Sequence, residues 1–134
     1  PDAMSYLTAA LERSPDELAL VELLADYAQA RGDSETYRGT LQKALGIAPG
    51  RDDLRARLAM HYLDRDKDPH AALALLQGHS AEGSPELRAA LAETYYRLNR
   101  IPEAIAHLEK YLSLAPADAQ NVAPARQLLE AIRE

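Results

Sequence analysis

A layout that returns about every 34 residues constrains this chain more than any other feature. Three stretches share it, opening at Leu18, Asp52 and Pro85. From Tyr37 to Ala71 is 34 residues, and from Ala71 to Ala104 is 33. A period of this length marks a solenoid of stacked helix pairs. One such pair is too small to bury its own apolar stripe, so neighbouring pairs must bury it for each other. Folds of this kind present surfaces for binding more often than they assemble reactive groups.

Composition agrees with helices. The chain has 134 residues, 47% of them apolar, with no Phe, Trp or Cys. Ala and Leu supply most of the apolar content, and with Glu and Arg they are strong helix formers. The spacing predicts a helix over 2–13, with Leu7, Ala10 and Leu11 on one face. Ser14, Pro15 and Glu17 are the residue types of a capped helix start, so a second helix is expected from there to Arg31, stopped by Gly32. A third runs from Asp33 or Ser34 to about Gly46, carrying Tyr37, Leu41, Ala44 and Leu45. Asp52 to Asp64 reads as the fourth, with Leu54, Leu58, Ala59 and Tyr62 inward. Asp68-Pro69 restarts a shorter one that ends at Gly78, and residues 79–84 form the most turn-like stretch. Ser84-Pro85-Glu86 opens the sixth, Pro102 the seventh, and 121–133 the last. Small residues at recurring sites (Ala25, Ala59, Ala92 and Ala44, Ala71, Ala104) let helices approach, and Leu24, Leu58 and Leu91 fill the layers between them.

These residues resemble tetratricopeptide repeats. The family pattern runs through Leu, a small residue, Tyr, Ala, a large apolar residue, Ala and Pro. The third stretch matches it best, with Leu91, Ala92, Tyr95, Ala104, Leu108 and Pro116. The first gives Leu24, Ala25, Gly32, Leu41, Ala44 and Pro49, and the second Leu58, Ala59, Tyr62, Ala71 and Leu75. The slot usually filled by Trp holds Val21, Arg55 and Arg88. Residues 2–17 match the second half of a preceding repeat. The resemblance implies an all-α, right-handed superhelix of stacked antiparallel helix pairs in one domain. Its parts are a half-repeat (2–17), repeats at 18–51, 52–84 (shortened) and 85–118, and a capping helix at 121–133. The chain reads as a piece of a longer protein.

In this family the first helix of each pair lines a concave groove that takes a partner segment. Carried over by register, the groove residues are Glu22, Asp26, Asp53, Arg57, Met60, Leu63, Glu93, Tyr96 and Arg97. Acids predominate, and Met and Tyr are adaptable contact residues. A partner with basic and apolar side chains follows. The plainer alternative makes Leu23 and Leu63 core and the acids a solvated face. The Lys, Asn and Arg clamp by which chaperone-binding members hold a terminal carboxylate has no counterpart, because Glu22, Asp26 and Asp53 would repel it.

Other functions find little footing. The net charge of −6 and the lack of a basic cluster argue against nucleic acid. The four His (His61, His70, His79, His107) fall in no metal-ligand spacing, and Ser80, Ser84 and Ser113 lack a nucleophile context. No cofactor, metal or catalytic site is expected, and no run of residues is long and apolar enough for a membrane span. The expected function is a non-catalytic protein-binding scaffold. The usage of Ala, Leu and Arg and the absence of Cys lean toward a bacterial envelope assembly, such as secretion or exopolysaccharide export. The alternative is a spacer or self-assembly module that associates through an N-terminal apolar edge (Tyr6, Leu7, Leu11).

Overall fold

A computed structural model describes residues 3–77, 84–114 and 122–134. Among these the chain forms eight helices: α1 (Ala3–Arg13), α2 (Leu18–Arg31), α3 (Ser34–Ile47), α4 (Asp52–Asp64), α5 (Pro69–Leu76), α6 (Pro85–Arg97), α7 (Ile101–Leu114) and α8 (Val122–Arg133). The expected loop at 79–84 and the repeat-closing Pro116 lie largely or wholly outside the described residues. The chain packs as two compact units, residues 1–58 and 59–134, with the break inside α4.

In the first unit α2 packs chiefly on α3, and α1 lies against α2. On α3 the stripe that periodicity picks out, Tyr37, Leu41, Ala44 and Leu45, faces inward. On α2 the spacing of Leu20, Leu23, Leu24 and Tyr27 misleads: Val21, Ala25 and Ala28 are buried, Leu23 is exposed and the other three are half-buried. Ala25 and Ala44 are fully buried, which lets the two helices approach closely. In the second unit α6 pairs with α7, and α8 closes over α7. Ala92, Leu108, Tyr111, Val122, Ala125 and Leu129 form its core cluster, with Leu128 and Ile132 packed against it. Two hydroxyls buried in these helices bond back to the preceding turn, Thr40 to the Thr36 carbonyl at 2.6 Å and Thr94 to that of Ala90 at 2.7 Å. Neither is left unpaired in an apolar surrounding.

The first turn departs from expectation. α2 starts at Leu18, with Glu17 as its N-cap and no side-chain cap bond. Pro15 suits a helix start, but it equally suits the second position of a β-turn. Here the turn wins, closed by the Glu17 N–H donating to the Ser14 carbonyl at 3.2 Å. Asp33 and Asp68 cap as their residue types suggest, each accepting from the backbone N–H three residues on.

A left-handed residue stands at the turn between the helices of each pair: Gly32 (φ 72), Lys67 (φ 53) and Asn99 (φ 61). Gly32 and Asn99 show the same closure. The following N–H reaches back five residues, from Asp33 to Ala28 at 2.9 Å and from Arg100 to Tyr95 at 2.8 Å. Nothing lies within 4 Å of a Cβ built on Gly32, so only backbone conformation resists substitution there. Gly32→Ala is expected to cost about 1 kcal/mol, and Lys67→Gly to gain up to about that much, in urea titrations.

Lys67 also corrects the repeat register. From Gly32 to Lys67 is 35 residues and from Lys67 to Asn99 is 32. The buried pair on α5 is accordingly Ala72 and Leu76, in the places of Tyr37/Leu41 and Ala104/Leu108. Ala71 and Leu75, expected there, are only half-buried. From the buried Ala59 to Lys67 is eight residues, one more than from Ala25 to Gly32 or from Ala92 to Asn99, and that shifts the inward face of the short helix by one position.

Candidate partner-binding face

The residues carried over to the groove fall on α2 and the first half of α4 in the first unit, and on the rest of α4 and α6 in the second. In the first unit, Arg51 engages both carboxylate oxygens of Glu22, at 2.8 and 3.3 Å. The same guanidinium holds Asp53 at 2.8 and 2.9 Å. That contact keeps the Asp53 carboxyl below the usual carboxylate range. Arg57 reaches Asp26 at 2.9 Å and Gln29 at 3.3 Å, and donates to the Tyr37 hydroxyl at 3.2 Å while lying over its ring. In the second unit Arg97 plays a similar part. It bonds Asp64 at 2.7 Å, Glu93 at 3.1 Å and the Leu63 carbonyl at 2.8 Å.

Each of these arginines ties successive first helices of its own unit together. Exposed pairs of this kind contribute about 0–1 kcal/mol each. Their larger consequence concerns recognition, since Glu22, Asp26, Asp53, Asp64 and Glu93 all have an arginine partner already. The face is therefore less acidic than the sequence alone suggests. Arg51 was the missing piece. It lies in the turn ahead of α4, outside the repeat positions, and no spacing rule points to it.

The apolar members separate. Tyr96 is exposed and Met60 half-buried, so both offer surface in the second unit. Leu63 is 1% exposed. It is a core residue and leaves the candidate set, as the plainer reading of that position had it. The same reading made Leu23 core, and it is 53% exposed. At the expected N-terminal edge Tyr6 is exposed and Leu7 half-buried, whereas Leu11 is buried.

Two arginines that read as surface or as simple departures from the repeat pattern are interior. Arg55 and Arg88, in the slot otherwise filled by Val21, are both buried. Arg55 is held by the Pro49 carbonyl at 2.6 Å. Arg88 approaches His107 Nδ1 at 3.4 Å. The His107 ring stacks on Tyr95 with centroids 5.5 Å apart. Burial, and then the Arg88 charge, push the His107 pKa down, against a smaller opposing effect of Glu103. The folded state therefore prefers neutral imidazole. Its stabilising effect is complete above the ordinary His range near 6.5 and is lost as pH falls through that range toward the lower folded value. Urea midpoints are expected to fall between pH 7 and 5, and His107→Gln to flatten that slope.

His61 is buried, 3.8 Å from Asp66, and His70 is exposed. His79 lies outside the described residues. Among the described residues no three His, Asp or Glu side chains converge as a metal-ligand set, and no helix is long and apolar enough to cross a membrane.

Comparison with known proteins gives one family. Residues 3–124 match the tetratricopeptide repeat family. Among solved structures the chain is similar to PilW, a widely conserved type IV pilus biogenesis factor, with a TM-score of 0.71 and 15% identity. That likeness covers 94% of this chain and 60% of the PilW chain, so this chain spans less than two thirds of that one. It is also similar to a thermophilic TPR protein from Thermus thermophilus, with a TM-score of 0.61 and 26% identity over 98% of this chain and 71% of that one. No curated protein matches in sequence.

Proposed function

The chain belongs to the tetratricopeptide repeat family, and from that premise we propose that it binds a segment of a partner protein on the face formed by its first helices. The observation that carries this reading is Tyr96. The residue is 41% exposed beside the Arg97–Glu93 pair on α6, with no core role to explain it. Met60 stands half-buried at another register position of that face, also in the second unit. Aromatic side chains left in solvent on a rigid scaffold are typical anchors of protein interfaces.

Glu22, Asp26, Asp53 and Arg57 stand at the corresponding register positions in the first unit, and Glu93 and Arg97 in the second. Their mutual pairing shifts the expected partner from strongly basic to one that combines apolar side chains with a few polar groups. Charges already bonded within the face set register and exclude poor partners more than they add affinity. The wider setting we infer is a scaffold in a bacterial envelope assembly, supported by the Cys-free, Ala-, Leu- and Arg-rich composition. The test is partner capture from native extract, with and without charges placed at Met60 and Tyr96.

A further inference from the structure

All three guanidinium nitrogens of Arg97 are engaged within the second unit. Nε and one terminal nitrogen reach the same Glu93 carboxylate oxygen, at 3.3 and 3.1 Å. That terminal nitrogen also holds Asp64 at 2.7 Å, and the other donates to the Leu63 carbonyl at 2.8 Å.

The Leu63 carbonyl is one of the last four of α4, which a helix leaves without a donor of its own. The turn that follows serves two of its neighbours. The Arg65 and Asp66 N–H groups donate to the His61 carbonyl at 2.9 and 3.3 Å, and the Asp68 N–H to that of Tyr62 at 2.8 Å. Leu63 receives its donor from the next first helix instead. A side chain of α6 thus completes the end of α4, and its positive charge complements the negative end of that helix.

This tie fixes a spacing. Met60 precedes Asp64 by one helical turn, so the two share a side of α4, while Ala59 and Leu63 are buried. Tyr96 is the neighbour of Arg97 on α6. α6 packs on α5 and α7, neither of which carries Met60, and Arg97 joins it to the helix that does. A guanidinium fork meets a carbonyl and two carboxylates at once, which a single ammonium cannot do with the same geometry. The side chains of Arg97 and Asp64 are 31% and 53% exposed, so the fold gains little from their pairing.

We infer that Arg97 is the positioning residue of the binding face. It holds Met60 and Tyr96 at one separation, so that the face selects partner segments with two large apolar side chains at a matching interval. That role rests on the reading that this face binds a partner. A spacing formed in advance lowers the ordering cost of binding and rejects segments with another interval.

The chain has no Cys and no Trp, so both probes of a test can be introduced without background. Spin labels on Met60→Cys and Tyr96→Cys report the separation of the two anchor positions by pulsed electron resonance. A narrow distance distribution is expected with Arg97 in place and a broader one with Arg97→Met. For binding, a displayed library of peptides is panned on the unlabelled chain. Enriched peptides are made with a terminal Trp, whose fluorescence anisotropy reports binding, and those lost with Tyr96→Glu are ligands of the face. They are expected to carry two apolar residues at one interval and to bind Arg97→Met at least about tenfold more weakly. Arg97→Lys should fall between, since it keeps the charge but not all the bonds. Asp64→Ala leaves Arg97 in place, and is expected to weaken the same peptides and to add little on top of Arg97→Met. Circular dichroism and urea midpoints are expected to stay near wild type. The positioning role is overturned if the distance distribution is equally narrow without Arg97, or if the face ligands bind Arg97→Met as they bind wild type. Weaker binding with an unchanged distribution overturns it too, since Arg97 is then a direct contact. Enriched peptides that are all indifferent to Tyr96→Glu would instead overturn the first-helix face as the binding site, and the role of Arg97 with it.

Discussion

Leu63→Ala is expected to lower the unfolding free energy by about 2–5 kcal/mol, whereas Leu23→Ala should change it by about 0.5 kcal/mol or less. Both residues sit on first helices and carry the same side chain. Leu63 is 1% exposed, so truncation removes its transfer free energy and leaves a cavity that rigid neighbouring helices fill only in part. The Arg97 guanidinium bonds the Leu63 carbonyl at 2.8 Å, so the backbone there has little freedom to collapse inward. Leu23 is 53% exposed, and shortening it opens no cavity. Urea denaturation of the two variants separates the cases. Equal small losses would mean that Leu63 is not packed as described.

The second large effect concerns binding. Tyr96→Glu together with Met60→Glu is expected to weaken partner binding at least about a hundredfold, or about 2.7 kcal/mol, with little change in helix content. An interface that buries an aromatic anchor against a carboxylate must desolvate that charge without a partner for it. The new Glu at 96 also adjoins Arg97, whose donors are committed to Asp64, Glu93 and the Leu63 carbonyl. Tyr96→Glu alone, at an exposed site, should keep the fold and lose most of the binding. It serves as the control if the half-buried Met60 proves costly to charge.

Much of the fold was legible in the sequence because it rests on local signals. Helix periodicity placed Leu41, Ala44, Leu58, Ala59, Leu91 and Ala92 inward, and Gly32, Asp33, Asp68 and Pro85 marked helix ends by their own backbone and side-chain chemistry. Periodicity also overreached where two local outcomes compete. Pro15 favours a turn as readily as a helix start, and the extra residue near Lys67 moves the buried stripe of α5 from Ala71/Leu75 to Ala72/Leu76 without altering the pattern a reader would count.

The candidate site was less legible, for a physical reason. Register assigns a residue to a helix face but cannot say how much of that face a neighbouring helix covers. Leu63 and Leu23 were thus indistinguishable until packing separated them. Ion pairs between helices are equally invisible, since Arg51 to Glu22 spans 29 residues and Arg97 to Asp64 spans 33. The buried Arg55 and Arg88 read as polar departures at an apolar slot. Arg55 is accommodated by the Pro49 carbonyl and Arg88 beside His107, contacts that depend on the turn and on the facing helix.

The measurement that tests the central claim most directly is affinity capture from native extract by the wild-type chain and by the folded Met60→Glu/Tyr96→Glu variant. The account predicts a partner retained by wild type and lost from the variant, with the peptides cross-linked to the wild-type chain mapping to α4 and α6. Capture of the same partners in the same amounts by both would contradict it, and would move the binding function off the first-helix face.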